Sequence, residues 1–194
     1  MKKYFLMTLL GLTGCSIIPN PGEPPKRFTL EPLLPMTGKP ASQHKLMIDL
    51  PNVYPPLDNQ RIGVVPEANR IDYYADCEWG DRLDVLVQDS LIYSLQNRMI
   101  FSGVTRANDG VMPDLLLKTD VRKFFVVQTP KPVAVVQYFV QLIRLTDRQV
   151  VSQQAFETKL PLNSEELSEI SVKLNQANLD VVHKIVNWLS STSF

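Results

Sequence analysis

The chain has 194 residues, with 20 Lys plus Arg against 20 Asp plus Glu, so it is long enough to bury one sizeable core and carries no net charge. That balance excludes the long-range field that would gather nucleic acid or anionic lipid. Only two cysteines are present, Cys15 and Cys77, and a disulfide framework is excluded once the first is committed to another bond.

Lys2 and Lys3 precede Tyr4 to Leu12, an apolar run too short to span a bilayer and placed like the core of a signal peptide. Leu12-Thr13-Gly14-Cys15 follows, and the four residues resemble the bacterial lipobox. Small residues at Thr13 and Gly14 let a peptidase read the chain extended, and the Cys15 thiol accepts a diacylglycerol. Residues 1–14 are therefore expected to leave as a lipoprotein signal peptide. Ser16, standing where an aspartate would favour inner-membrane retention, resembles the outer-membrane sorting pattern. Pro19, Pro21, Pro24 and Pro25, with Asn20 and Gly22 among them, exclude helix or central strand, so 15–25 reads as a lipidated tether. Residues 26–194 read as a single globular domain.

Short alternating stretches come first in that domain. Arg27 to Leu30 and His44 to Leu50 read as strands, the second with Leu46, Ile48 and Leu50 on one face. Pro51, Pro55 and Pro56 close it, Arg61 to Val65 is a third strand, and Ile71 to Tyr74 is extended. At Asp76 the spacing predicts a change of period. Asp76 is placed as an N-cap, and Trp79, Leu83, Leu86, Val87, Leu91 and Leu95 recur at helical steps to about Arg98, which puts Cys77 and Trp79 at a helix start. Another short strand is expected around Phe101 to Thr105.

Three longer strands follow as a meander. The first runs from Asp114 to Val127, with Leu115, Leu117, Val121, Phe125 and Val127 predicted to share one face. Thr129-Pro130-Lys131-Pro132 turns into Val133 to Leu145, apolar on both faces, and Asp147-Arg148-Gln149 turns into Val150 to Leu160. The last element is a helix whose start signal is Asn163 as N-cap with Glu166 completing a capping box. Leu167, Ile170, Leu174, Ala177, Val181, Ile185 and Trp188 form its apolar stripe. Such a helix, about 40 Å long at about 1.5 Å per residue, either runs past the sheet or breaks near Ser171. The periodicities together give an α/β fold of the α+β type, a single, largely antiparallel sheet carrying two long amphipathic helices.

No catalytic constellation is visible. His44 and His183 have no second histidine or cysteine at ligand spacing, so no metal and no cofactor is expected. Ser102-Gly103 lacks the first glycine of a nucleophile elbow, and no phosphate-binding or dinucleotide fingerprint occurs. Glu165, Glu166 and Glu169 crowd a helix N-terminus, where the dipole accounts for them. The chain reads as a binding module rather than an enzyme. Tyr54 in its proline-flanked loop, Tyr73 and Tyr74 are the partner-docking candidates, because loops carry interaction surfaces and amphipathic aromatics favour interfaces. Trp79 is a core anchor.

The lipobox, Arg27 to Leu30, Leu57-Asp58-Asn59-Gln60-Arg61-Ile62, Trp79 to Leu83, and the ending from Phe156 and Pro161 to Trp188-Leu189 together resemble the ABC-type transport auxiliary lipoproteins, the PqiC-like group. The resemblance implies one mixed sheet with two helices on a face. It further implies a non-enzymatic outer-membrane lipoprotein, held by acyl chains on Cys15 and facing the periplasm, that works with an MCE-domain protein and its ABC partners in lipid transport and envelope integrity. A homo-oligomer is compatible with this. The alternative is a lipid-anchored scaffold or activator for cell-wall synthesis or surface-structure assembly.

Overall fold

The structure, a computed structural model, describes residues 23–128 and 130–193. Cys15 and Ser16, with the tether as far as Gly22, lie outside the described residues, as does Thr129 of the first predicted meander turn. The described elements are β1 (Lys26–Phe28), β2 (Lys45–Ile48), β3 (Asn52–Val53), a 3-10 turn (Pro55–Leu57), β4 (Arg61–Val65), β5 (Asp72–Trp79), α1 (Leu83–Asn97), β6 (Gly103–Arg106), β7 (Leu115–Val127), β8 (Val133–Arg144), β9 (Gln149–Pro161) and α2 (Leu167–Ser191).

All the strands join one mixed sheet around β7. On one edge β7 pairs antiparallel with β8 along its length, and β8 pairs antiparallel with β9, which is the predicted meander. On its other edge β7 takes three short parallel partners end to end: β2 beside 115–117, β3 beside 120–121 and β4 beside 125–127. The chain between Lys45 and Val65 cannot match β7 as one strand, because Pro51, Pro55 and Pro56 lack the N–H a ladder needs. β6 continues the sheet beyond β2, and β5 with β1 continues it beyond β4. Both helices pack on one face, α1 on β6, β2 and β3 and α2 on β7, β8 and β9, and the two touch each other. The α+β class read from periodicity is the class observed.

Three local expectations are corrected. Asp76 does not start a helix. It sits within β5 at φ 58°, a left-handed conformation that Asp tolerates, and the chain stays extended through Trp79, whose N–H donates to the Gln60 carbonyl at 2.7 Å. Cys77 and Trp79 are therefore alternate buried residues of a strand, two positions apart. Nor does Asn163 cap α2, which begins at Leu167. Glu169 instead reaches back so that its carboxylate accepts the N–H groups of Asn163 (2.8 Å) and Ser164 (2.9 Å) and the Ser164 hydroxyl (2.7 Å). These bonds, the Ser164 hydroxyl first, hold the Glu169 acid below the usual carboxylate range. The helix then runs unbroken through Ser171 for 25 residues, about 37 Å at about 1.5 Å per residue.

The third correction matters most for function. A bulge between Val121 and Lys123 inserts one residue into β7, and a single inserted residue exchanges the two faces beyond it. Leu115, Leu117 and Val121 face the helices as expected, but Phe124 and Val126 continue that face, both buried, and Phe125 with Val127 turns to the other.

The core between sheet and helices is aromatic at its centre. Trp79 meets Phe124 edge-on at 5.5 Å between centroids, and Phe124 stacks on Tyr138 at 6.5 Å. A buried polar relay crosses it: Tyr138 Oη donates to Asn178 Oδ1 (2.7 Å), Asn178 Nδ2 to Ser90 Oγ (2.9 Å), and Ser90 Oγ to the Glu31 carbonyl (3.3 Å). β8, α2, α1 and the segment after β1 are thus tied at one point. The same segment is fastened again where Leu33 N–H donates to Ser94 Oγ (2.9 Å) and Asn97 Nδ2 to the Leu33 carbonyl (2.8 Å).

Candidate docking face

With both helices on one side, the opposite side of the sheet carries no second layer among the described residues. The bulge in β7 brings Phe125 and Val127 to it, and strand alternation in β8 brings Val133 and Val135 opposite them. These four, with Val65 from β4, line a shallow cleft of about 390 Å³ flanked by Lys123 and Lys159. A second cleft of about 250 Å³ shares Val65 and Phe125 and adds Tyr54, Arg70 and Ile71. A third, of about 420 Å³, shares Tyr54 and runs to Asp120 and Arg122. The shared residues make the three one grooved face, apolar around Phe125 and polar towards Asp120 and Arg122. Its close contact between strand and turn depends on Gly63, where a Cβ would lie 3.1 Å from Leu57 Cδ2 and 3.3 Å from Phe125 Cβ.

The rim is polar and ordered by charge. Lys123 Nζ and Lys159 Nζ share the Glu157 carboxylate at 2.8 and 2.9 Å, and Lys123 before Lys159 holds the Glu157 acid below the usual range. The Arg122 guanidinium lies over Phe139 at 4.3 Å from the ring centroid. An apolar floor with a charged rim has the composition of a surface suited to receiving an apolar ligand or protein segment.

The three candidate tyrosines are not equivalent. Tyr54 is 54% exposed and stands where two of the clefts meet. Tyr73 lies beside the same proline turn, its hydroxyl donating to the Pro56 carbonyl at 2.7 Å and its ring under the Arg61 guanidinium at 4.9 Å. Tyr74, the next residue of the strand, turns to the other side and packs against the core, where burial first, then Glu165 and Cys77, pushes its phenol up to about 12. Periodicity put Phe125 and Val127 on the helix face, whereas Val133 and Val135 belong to the strand already read as apolar on both faces. The run Phe124-Phe125-Val126-Val127 was the available signal, because a strand apolar at every position has two apolar faces.

Other chemistry is sparse. Among the described residues no group of three or more His, Cys, Asp and Glu side chains is placed to hold a metal, and no helix is long and apolar enough to cross a membrane. Cys77 is buried in β5, and burial pushes its thiol up.

Comparison with known proteins places this geometry in context. The family described as the ABC-type transport auxiliary lipoprotein component matches residues 28–186. The crystal structure of protein XCC0632 from Xanthomonas campestris, of the DUF330 family, is similar with a TM-score of 0.73 at 21% identity, covering 84% of this chain and 92% of that one. A second solved structure, of an uncharacterized protein, is similar with a TM-score of 0.70 at 16% identity, over 87% of this chain and 100% of that one. The hypothetical protein CT253 from Chlamydia trachomatis follows at a TM-score of 0.53 and 6% identity, over 77% and 99%. At these identities the likeness is one of fold. No curated protein matches the chain.

Proposed function

Because the chain belongs to the ABC-type transport auxiliary lipoprotein family, we propose that it is the non-enzymatic, membrane-tethered docking component of an ABC-type lipid transport system. In this reading Cys15 carries the acyl chains, Ser16 directs the protein to the outer membrane, 15–25 is the tether, and 26–194 is a periplasmic domain that receives a partner. The partner is an MCE-domain protein of the same transport system, and the complex serves lipid movement and envelope integrity. A tether of about ten residues reaches at most about 33 Å, so the domain stays near its membrane and the partner must come to it.

The observation that supports docking is the open sheet face, where an apolar floor from Phe125, Val127, Val133 and Val135 meets the exposed Tyr54. The test is photo-crosslinking in intact envelopes, with the crosslinker placed in the full-length chain at Tyr54 and, separately, at Arg70. An MCE-domain adduct is the expected product at both positions. Recovery of peptidoglycan synthases or surface-assembly components, without an MCE protein, assigns the face to the scaffold role instead.

A further inference from the structure

β9 is the longest unpaired edge of the sheet among the described residues. The far side of the sheet ends in β1 and β6, strands of three and four residues, whereas β9 runs for 13 and pairs only with β8. The ladder fixes where its backbone groups point. The Val121 carbonyl turns away from β8 to accept the Tyr54 N–H at 3.1 Å, so its partner Tyr138 faces β9. Phe156, opposite Tyr138, then faces β8, and Ala155 and Glu157 face outward. Lys184 on α2 agrees, since its ammonium donates to the Glu157 carbonyl at 2.7 Å.

Exposed edges are usually guarded by charge, proline or a bulge. β9 has a bulge beside Leu142 and Ile143 near its start and Pro161 at its end, but Ser152-Gln153-Gln154-Ala155 between them carries neither charge nor proline. Next to this stretch a groove of about 540 Å³ separates β9 from the C-terminal half of α2. Phe156 and Trp188 line it, packed edge to face at 5.7 Å, together with Lys184. Positive charge there is in surplus among the described residues, because Lys123 and Lys159 already share Glu157 and the Lys184 ammonium donates to a carbonyl and a hydroxyl, those of Glu157 and Thr158.

We propose that the outer edge of β9 and the C-terminal half of α2 receive an extended segment of a partner protein, added as a further strand beside Gln153 to Glu157. Main-chain hydrogen bonds to Ala155 and to the Glu157 N–H hold the segment, an apolar side chain rests on Phe156 and Trp188, and an acidic one meets the Lys184 ammonium where it lies on the Glu157 carbonyl. A second copy of this chain is the poorer occupant, because it brings the same lysines against these.

The probe is a capped peptide of about eight residues, alternating valine with threonine and aspartate, added to the full-length protein in detergent micelles. Amide exchange should slow at Gln153, Ala155 and Glu157 as peptide is added, and should not respond to the same peptide with its backbone N-methylated. Ala155→Pro removes an outward N–H without breaking a bond to β8, so it should leave the denaturation midpoint unchanged and weaken the peptide about tenfold. No protection of these amides, or equal binding of the N-methylated peptide, overturns strand addition. Concentration-dependent self-association that Ala155→Pro abolishes and that excludes the peptide from the edge makes a second copy the occupant, which overturns the partner assignment.

Discussion

The relay from Tyr138 through Asn178 to Ser90 and Glu31 joins the sheet, both helices and the N-terminal segment through polar atoms, so cutting it tests how the layers are held in register. Tyr138 and Asn178 are fully buried, and their bond is 2.7 Å long. Burial also pushes the Tyr138 phenol well above its ordinary value, so the hydroxyl remains a donor across the working pH range. Tyr138→Phe leaves Asn178 Oδ1 buried with no donor from β8, at a cost of about 1 to 3 kcal/mol. Asn178→Leu keeps the branched shape but strands the Tyr138 hydroxyl, and it removes the amide that donates to Ser90, for a similar or larger loss. The double variant removes both ends of the bond, and an apolar pair of matching shape is close to neutral. Its destabilisation should therefore fall short of the sum of the singles by about 1 to 2 kcal/mol. Denaturant midpoints at constant m-value measure all three, and for a domain of this size each kcal/mol also moves Tm by about 2 to 4 °C. Additivity within about 0.5 kcal/mol would refute the claim that this bond couples the layers.

Further outcomes follow from the corrected helix start, the ionisable groups and the N-terminus. Asn163→Ala should change stability by less than about 0.5 kcal/mol, whereas Glu169→Ala, which frees the N–H groups of Asn163 and Ser164, should lower the denaturation midpoint in the same unfolding assay. Glu157 has a folded pKa below its ordinary 4.5, so its contribution is present above about pH 4.5 and is lost as pH falls through the lowered value. Glu157→Gln should flatten that acid limb of the stability curve, and an unchanged limb would mean the two lysines do not hold the carboxylate. Tyr74 is shifted the other way, from 10.0 to about 12, so its contribution is present below pH 10 and is lost between pH 10 and about 12. Tyr74→Phe should lift part of that alkaline loss, as followed by circular dichroism. Cys15→Ala should abolish acylation and release the domain from the membrane fraction, while Ser16→Asp should shift it toward the inner membrane; fractionation with intact mass measures both.

Features encoded within a few residues of one another were legible without any tertiary contact. The period-two runs and turn residues from Leu115 to Pro161 specify three long strands in a meander, because antiparallel neighbours joined by short turns need only local contacts. The stripe from Leu167 to Trp188 specifies the long second helix by the same local logic. Prolines at 51, 55 and 56 announce that this stretch cannot be one strand, and the residues quoted for the family resemblance point to the family that matches 28–186. Tertiary structure decided the rest. That β7 collects β2, β3 and β4 as parallel partners depends on pairings more than fifty residues apart, which no local window contains. Trp79 ends a strand rather than starting a helix because Gln60 supplies its hydrogen bond and Phe124 its packing. The open apolar face exists because one inserted residue at the β7 bulge reverses which side each later side chain occupies. That insertion is set by the hydrogen-bond register with β8, whereas the apolar run Phe124 to Val127 reads the same on either face.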